Sequence, residues 1–179
     1  MGWNKEHKPQ VRDQILESAA QLFMNRGFDN VSIDEVMQNA GLTRGAFYAH
    51  FKSKSELYAE AIRDAALKSI HAQEDAPPVS ERIAKYLSLE HRKGESMACP
   101  LAFLVSDVSQ QNNTVRDVYT KVFKGFVKKL TESSKEHISD QEALKSAVLM
   151  VGGMAVARAL NDDTLAEQLL TACQQAIDL

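Results

Sequence analysis

Glycine and proline are scarce in this chain, 8 and 4 of its 179 residues. So few breakers exclude a collagen-like or low-complexity polymer and suit a mostly helical protein. No segment alternates apolar and polar residues cleanly enough to read as a strand. Cysteine is limited to Cys99 and Cys173, which rules out a disulfide framework and predicts two free thiols in a cytoplasmic chain. The longest apolar run, Ala147 to Ala157, is too short to span a bilayer and is flanked by Lys145 and Arg158. The N-terminus is polar and lacks the apolar core of a signal peptide. Charge of one sign is also lacking. The net charge is −3, with seven basic against six acidic residues in 1–54 and fourteen against eighteen in 55–179. No strong general field for a polyanion follows from that balance, so affinity for one must come from placed contacts. Phosphate loops, dinucleotide fingerprints and paired-histidine metal motifs are absent. The five histidines, His7, His50, His71, His91 and His137, are scattered, and neither metal nor cofactor is expected. Gly94-Glu95-Ser96-Met97-Ala98 loosely resembles a nucleophile elbow, but it ends in alanine and follows a helical pattern rather than a strand. A non-enzymatic protein is expected.

What is present is concentrated in residues 27–57. Ser32 with Glu35 reads as a capping box, in which hydroxyl and carboxylate each take a backbone N–H that the helix start leaves orphaned. Ile33, Val36 and Met37 then share one face at i, i+3, i+4. Gly41 supplies the positive φ that ends a helix, and Leu42 is expected to pin the turn to the core. Thr43 is the expected N-cap of a second helix running from Arg44 to Ala49 or His50. Phe47 and Phe51 face inward at i, i+4, which leaves Arg44, Gly45, Tyr48 and Ala49 outside. Ser53 with Glu56 forms another capping box and restarts the chain as a long helix. Two such short helices need a third to bury a core, and Val11, Ile15, Ala19, Leu22 and Phe23 provide its stripe. Three helices of this kind, the last exposed, are a helix-turn-helix reader of duplex DNA.

The run Thr43-Arg44-Gly45-Ala46-Phe47-Tyr48-Ala49-His50-Phe51-Lys52-Ser53-Lys54-Ser55-Glu56-Leu57 resembles the recognition-helix signature of TetR-family transcriptional regulators. Gly27-Phe28-Asp29-Asn30-Val31-Ser32-Ile33 and Val36-Met37-Gln38-Asn39-Ala40-Gly41-Leu42 resemble the same family's second helix and its entry loop. The resemblance covers residues 10–60; beyond them it is one of length and helical pattern. It implies an all-α fold, with an N-terminal DNA-binding head (1–53) joined by a long helix to a C-terminal ligand-binding and dimerisation bundle (54–179). It also implies a homodimer on a near-palindromic operator, phosphate contacts from Ser32, Thr43, Tyr48, His50 and Lys54, and base-edge contacts from Arg44, Gly45, Ala46 and Ala49. Helix N-termini and hydroxyls do hold phosphates, and arginine matches the N7 and O6 edge of guanine. Ala49 offers only apolar contact, so part of the selectivity is expected from DNA shape. The first residues, with Trp3, Lys5, His7 and Lys8, read as a tail.

The body reads as further helices over 53–75, 80–92, 100–110, 114–135, 139–160 and 164–178. Pro77-Pro78 ends the first and Gly94 the second. The 139–160 helix is apolar on most sides and must be covered on most sides. Gly152-Gly153 suits close helix approach, and the resemblance makes the last two helices a four-helix dimer interface. It also implies a small effector bound within the body, with Tyr86, Met97, Phe103, Leu104, Tyr119, Phe123, Met150 and Met154 as candidate lining. No charged residue is confidently internal, so an apolar or aromatic effector is expected, acting through the 54–75 helix as a lever. The alternative is a redox-sensing regulator, in which His91 and Arg92 activate the Cys99 thiol.

Overall fold

The structure, a computed structural model, describes residues 7–71, 77–94, 98–133 and 138–177. Those residues form helices with no strand among them: α1 (His7–Arg26), α2 (Ile33–Asn39), α3 (Arg44–Tyr48), α4 (Lys54–His71), α5 (Val79–Tyr86), α6 (Leu89–Lys93), α7 (Pro100–Phe103), α8 (Val105–Ser109), α9 (Asn113–Ser133), α10 (Asp140–Ala159) and α11 (Asp163–Gln175). Trp3 and Lys5 of the expected tail, Met97, and the last turn expected up to Asp75 lie outside the described residues.

Two hydrophobic clusters organise the molecule. In the first, Ile15, Phe23, Val36, Met37, Phe47 and Phe51 of the head meet Leu57, Tyr58 and Ile62 of α4, and Leu104, Val108 and Val115 close it from the far side. The α1 stripe expected from the sequence is there: Val11, Ile15, Ala19 and Phe23 are buried. In the second cluster, Ile83, Leu87, Leu101 and Leu130 pack on the inner face of α10 and on Ala166 and Leu170 of α11. Phe103, Tyr119 and Val122 touch both clusters, so α4, α7 and α9 tie the head to the body through packed side chains.

Several boundaries differ from the sequence expectation. The single helix over 80–92 is two, broken at Leu87 (ψ 48°), and Ser88 caps the second piece by accepting the His91 N–H at 3.1 Å. The stretch 100–110 is likewise broken at Leu104. Both breaks serve long-range packing, since Leu87 and Leu104 are almost fully enclosed. The cap of α11 is Asp162, which accepts the Leu165 N–H at 3.0 Å, and not Asp163 or Thr164. Ser53 accepts the Glu56 N–H at 3.1 Å, but the Glu56 carboxylate takes the Lys52 N–H at 2.6 Å instead of closing a box. The boxes at Ser32–Glu35 and Ser139–Glu142 are complete; each such cap is worth about 1 kcal/mol.

Gly152 and Gly153 have separate jobs. A Cβ on Gly153 would sit 2.7 Å from the Cys173 Sγ, so glycine there allows α10 and α11 to touch within the chain. A Cβ on Gly152 would meet nothing within 4 Å.

Candidate nucleic-acid interface

The turn between α2 and α3 is a Schellman motif. Ala40 is the C-cap, Gly41 sits at φ 69°, the Gly41 N–H donates to the Gln38 carbonyl at 3.0 Å, and the Leu42 N–H to the Met37 carbonyl at 2.9 Å. This pair of bonds satisfies the orphan carbonyls of α2 and turns the chain sharply into α3. The start of α2 is equally fixed. Glu35 accepts the Ser32 N–H at 2.8 Å and pairs with Arg26 at 2.9 Å. The Ser32 backbone and hydroxyl bonds, with Arg26 after them, lower the Glu35 carboxyl to about 2, so it stays ionised throughout the physiological range.

The turn sets α3 so that Phe47 is fully buried and Thr43, Arg44, Gly45, Tyr48 and Ala49 are exposed together. Tyr48 is 61% exposed, a large aromatic left in solvent beside buried Phe47. The Thr43 hydroxyl makes no cap bond to its own helix, which leaves it for an outside acceptor. Ser32 is exposed on the neighbouring helix start. The other candidates stand differently. Ala46 is half-buried against the head's core. Lys54 is half-buried, its Nζ 4.2 Å from the centre of the Phe28 ring. His50 is half-buried, and its enclosed Nε2 has no hydrogen-bond partner among the described residues. Burial, then Lys8 and Arg12, lower the His50 pKa, so the ring is neutral at pH 7.

Arg44 is not idle. Its Nη1 lies 2.8 Å from the Asp34 carboxylate across the turn, with both side chains about three-fifths exposed. An ion pair this exposed is worth about 1 kcal/mol or less, so guanidinium exchange to another acceptor costs little. Sequence spacing gives no hint of this 10-residue pairing.

Behind the head, Asp107 of α8 reaches back to it. Both carboxylate oxygens lie 3.2 Å from the Phe28 N–H, and the Tyr58 hydroxyl donates to one of them. Gly27, at φ 75°, leaves room for the carboxylate; a Cβ there would stand 3.3 Å from Oδ1. Burial, then the bond to Asp107, raises the Tyr58 phenol above its ordinary value. Sequence reading missed Asp107 because its partners are 49 and 79 residues away.

The body contains a cavity of about 370 Å³ between α4, α5, α7, α9 and α10. Of the candidate lining, Tyr86 and Met150 face it. Phe103, Leu104, Tyr119, Phe123 and Met154 pack in the clusters beside it, the Tyr119 hydroxyl donating to the Leu101 carbonyl at 2.7 Å. The wall on α9 is instead Val118, Val122 and Phe126. Arg63, Arg82, Lys121 and Lys129 also line it, so the cavity is not charge-free as the sequence suggested.

Cys99 lines the same cavity. Burial raises its pKa, with the Tyr86 hydroxyl pulling weakly the other way. The two cations expected beside it are engaged elsewhere. His91 accepts the Cys99 backbone N–H through Nε2 at 3.3 Å. Arg92 donates to the Ala157 and Leu160 carbonyls, both at 2.7 Å, and pairs with Asp163 at 2.5 Å. It therefore caps the end of α10, where orphan carbonyls attract a cation, and is not an activator of the thiol. No group of three His, Cys, Asp or Glu side chains among the described residues is placed to hold a metal ion, and no described helix is long and apolar enough to cross a membrane.

Residues 15–61 match the family model of bacterial regulatory proteins of the tetR family. The chain is 43% identical over 56 residues to the HTH-type transcriptional regulator AcrR of Shigella flexneri, a match spanning 31% of this chain and 26% of that relative. With the HTH-type transcriptional repressor DhaR of Mycobacterium sp. (strain GP1) it shares 24% identity over 93% of this chain and 80% of that one. The fold is that of the reduced form of E. coli NemR, with a TM-score of 0.76 at 18% identity, covering 94% and 95% of the two chains. The head, residues 15–61, is thus that of the tetR family of bacterial regulatory proteins, and it is set on a body whose helical fold is shared with the NemR structure.

Proposed function

We propose that the chain is a cytoplasmic, sequence-specific DNA-binding transcriptional repressor. It acts as a homodimer on a near-palindromic operator and is released by a small molecule held in the body cavity. The observation that carries this reading is the joint exposure of Thr43, Arg44, Gly45, Tyr48 and Ala49 on one edge of α3. Arg44 exchanges Asp34 for a guanine edge. Thr43, Tyr48 and Ser32 hold phosphates through their hydroxyls, and Lys54 adds a cation after leaving Phe28. Gly45 and Ala49 let the helix approach closely, with Ala46 behind them. His50, neutral and half-buried, contributes at most a hydrogen bond to the backbone. Residues 1–53 read the operator, and 54–179 bind the effector and dimerise.

Dimerisation is supported by an uncovered stripe. Leu144, Val148, Gly152 and Val156 recur every four residues on α10, and the three side chains are 46%, 60% and 53% exposed. Leu165 of α11 is also exposed, at 48%. Ridges at this spacing pack against their own copy about a two-fold axis, and open space at Gly152 lets the backbones come close. A two-fold dimer matches half-sites about 34–36 Å apart, or a multiple of that. Release follows if the effector prefers a body state that misplaces the heads. The path runs from Pro100 and Leu101 in the cavity wall to Asp107 of α8, which accepts the Phe28 N–H of the head.

Selection of binding sites from a random duplex pool tests the reading. Symmetric winners are expected. Arg44→Ala is expected to cost about 1–3 kcal/mol and to relax one base pair per half-site, while Lys54→Ala weakens all sequences alike and reduces the salt slope by about one. Failure to enrich any sequence, or equal binding by wild type and Arg44→Ala on the best one, contradicts direct readout by α3.

A further inference from the structure

We propose that Asp34 is a further base-reading residue, which selects a cytosine or adenine in the base pair next to the guanine taken by Arg44. The proposal rests on the reading of α3 as the groove-facing helix and adds one specificity-determining residue from α2. The Asp34 carboxylate holds the Arg44 Nη1 at 2.8 Å, with the two side chains 59% and 60% exposed. The same guanidinium donates to the Tyr48 hydroxyl one turn further on, and Tyr48, then Asp34, raise the Arg44 pKa above its ordinary value. Asp34, Arg44 and Tyr48 therefore form one exposed polar cluster, contributed by both helices of the motif. Whatever surface Arg44 meets, Asp34 meets beside it. Starting α2 does not require Asp34, because the Ser32 cap is closed by Glu35, which also pairs with Arg26.

Turning Arg44 to guanine releases the carboxylate close to the bases. A hydrogen bond spans about 2.9 Å, so a guanine atom bonded by Nη1 near its present place lies within about 6 Å of the Asp34 oxygen. Successive base pairs are about 3.4 Å apart. The bidentate arginine covers the edge of its own guanine, so the neighbouring pair is what the carboxylate meets. A carboxylate can only accept. In the major groove cytosine N4 and adenine N6 donate, whereas guanine offers N7 and O6 and thymine O4, all acceptors. Facing those atoms, the carboxylate is left charged, desolvated and unpaired, which costs more than the exposed ion pair it gave up. An amino base instead replaces the N–H that Arg44 withdraws. Asp34 thus selects by exclusion as much as by attraction.

Sites selected from a random duplex pool by full-length wild type, Arg44→Ala and Asp34→Ala test this. Arg44→Ala identifies the guanine that Arg44 reads, as the one whose preference it removes. Duplexes carrying each of the four bases in the pairs flanking that guanine, in one half-site, are then titrated by fluorescence anisotropy. At one flanking position wild type is expected to favour cytosine or adenine over guanine or thymine by roughly tenfold. Asp34→Ala keeps the helical content and the guanine preference. It reduces the flanking preference to less than about twofold, mainly by binding the guanine- and thymine-flanked sites more tightly. A purely structural role for Asp34 would instead shift affinity for all four flanking bases alike. No flanking preference in wild type, or one that survives Asp34→Ala, overturns the proposal while leaving α3 a DNA reader. If Arg44→Ala removes no guanine preference, direct readout by α3 falls, and the role given to Asp34 falls with it.

Discussion

At the scale of single residues, His91 shows how one ring fixes a protonation state. Nδ1 lies 2.6 Å from the Tyr86 carbonyl and therefore donates, and Nε2 accepts the Cys99 N–H. The pair of bonds requires the neutral Nδ1–H tautomer. A second proton on Nε2 would break the Cys99 bond and place a charge in a site 4% exposed. Burial lowers the ring's pKa from 6.5, Arg158 nearby lowers it further, and only the Tyr86 bond opposes them. Over the interval below 6.5 the unfolded chain binds more protons than the folded one. The His91 contribution is thus complete above about pH 6.5 and is lost as pH falls through the folded value. Urea midpoints measured from about pH 7 to about pH 5 are expected to fall more steeply for wild type than for His91→Gln, which keeps an acceptor but does not titrate. Parallel slopes would show that His91 takes no part in acid destabilisation. In the sequence it stood as one of five scattered histidines and as a candidate activator of Cys99; its neutral tautomer depends on a carbonyl and an amide that only the fold delivers.

Among the elements, the distinction between readable and unreadable features is one of range. The Ser32–Glu35 and Ser139–Glu142 boxes and the Gly41 turn are decided within four or five residues, so spacing alone identifies them. The break at Leu87–Ser88 answers to the need for Arg92 to reach carbonyls 65 and 68 residues ahead, which no local pattern records. Helix α9 carries apolar residues over a broad arc, and its periodicity does not say which of them meet the core and which the cavity. Tyr119 and Phe123 meet the core without lining the cavity, whereas Val118 and Val122 pack on the core and also line it. Asp107 is the most consequential of the long-range features, because it joins α8 to the head loop and to α4 at one carboxylate. Asp107→Ala leaves the Phe28 N–H and the Tyr58 hydroxyl without their acceptor and is expected to cost about 1–3 kcal/mol in urea unfolding. Tyr58→Phe on its own should cost less, and the double variant should fall short of the sum by at least about 0.5 kcal/mol, since the residues share one bond. Strict additivity would mean that Asp107 and Tyr58 are not coupled through that bond.

For the whole molecule, the decisive question is what covers the outer stripe of α10. Its inner face, with Ala147, Met150, Met154 and Ala157, is nearly sealed by the chain's own helices, while Leu144, Val148 and Val156 stand in solvent. A single head on B-form DNA makes few base contacts, one arginine and two small residues by the present reading, and such a module binds weakly. Joining two of them makes the second encounter intramolecular and raises affinity roughly 10²–10⁴-fold without a new contact. The apolar stripe and the sparse α3 edge are therefore complementary economies: a modest reader is sufficient if a strong dimer doubles it. Val148→Glu places a carboxylate at the centre of the stripe, where a two-fold axis would bring its copy close and leave both desolvated and unpaired. Sedimentation velocity is expected to show a monomer with unchanged helical content, and operator affinity is expected to fall by about the same 10²–10⁴, while affinity for an isolated half-site stays as in wild type. A Val148→Glu protein that still sediments as a dimer would assign the stripe to some other contact. If the variant is instead monomeric but holds the full operator as tightly as before, the heads do not act in pairs, and the symmetry required of the operator goes with them.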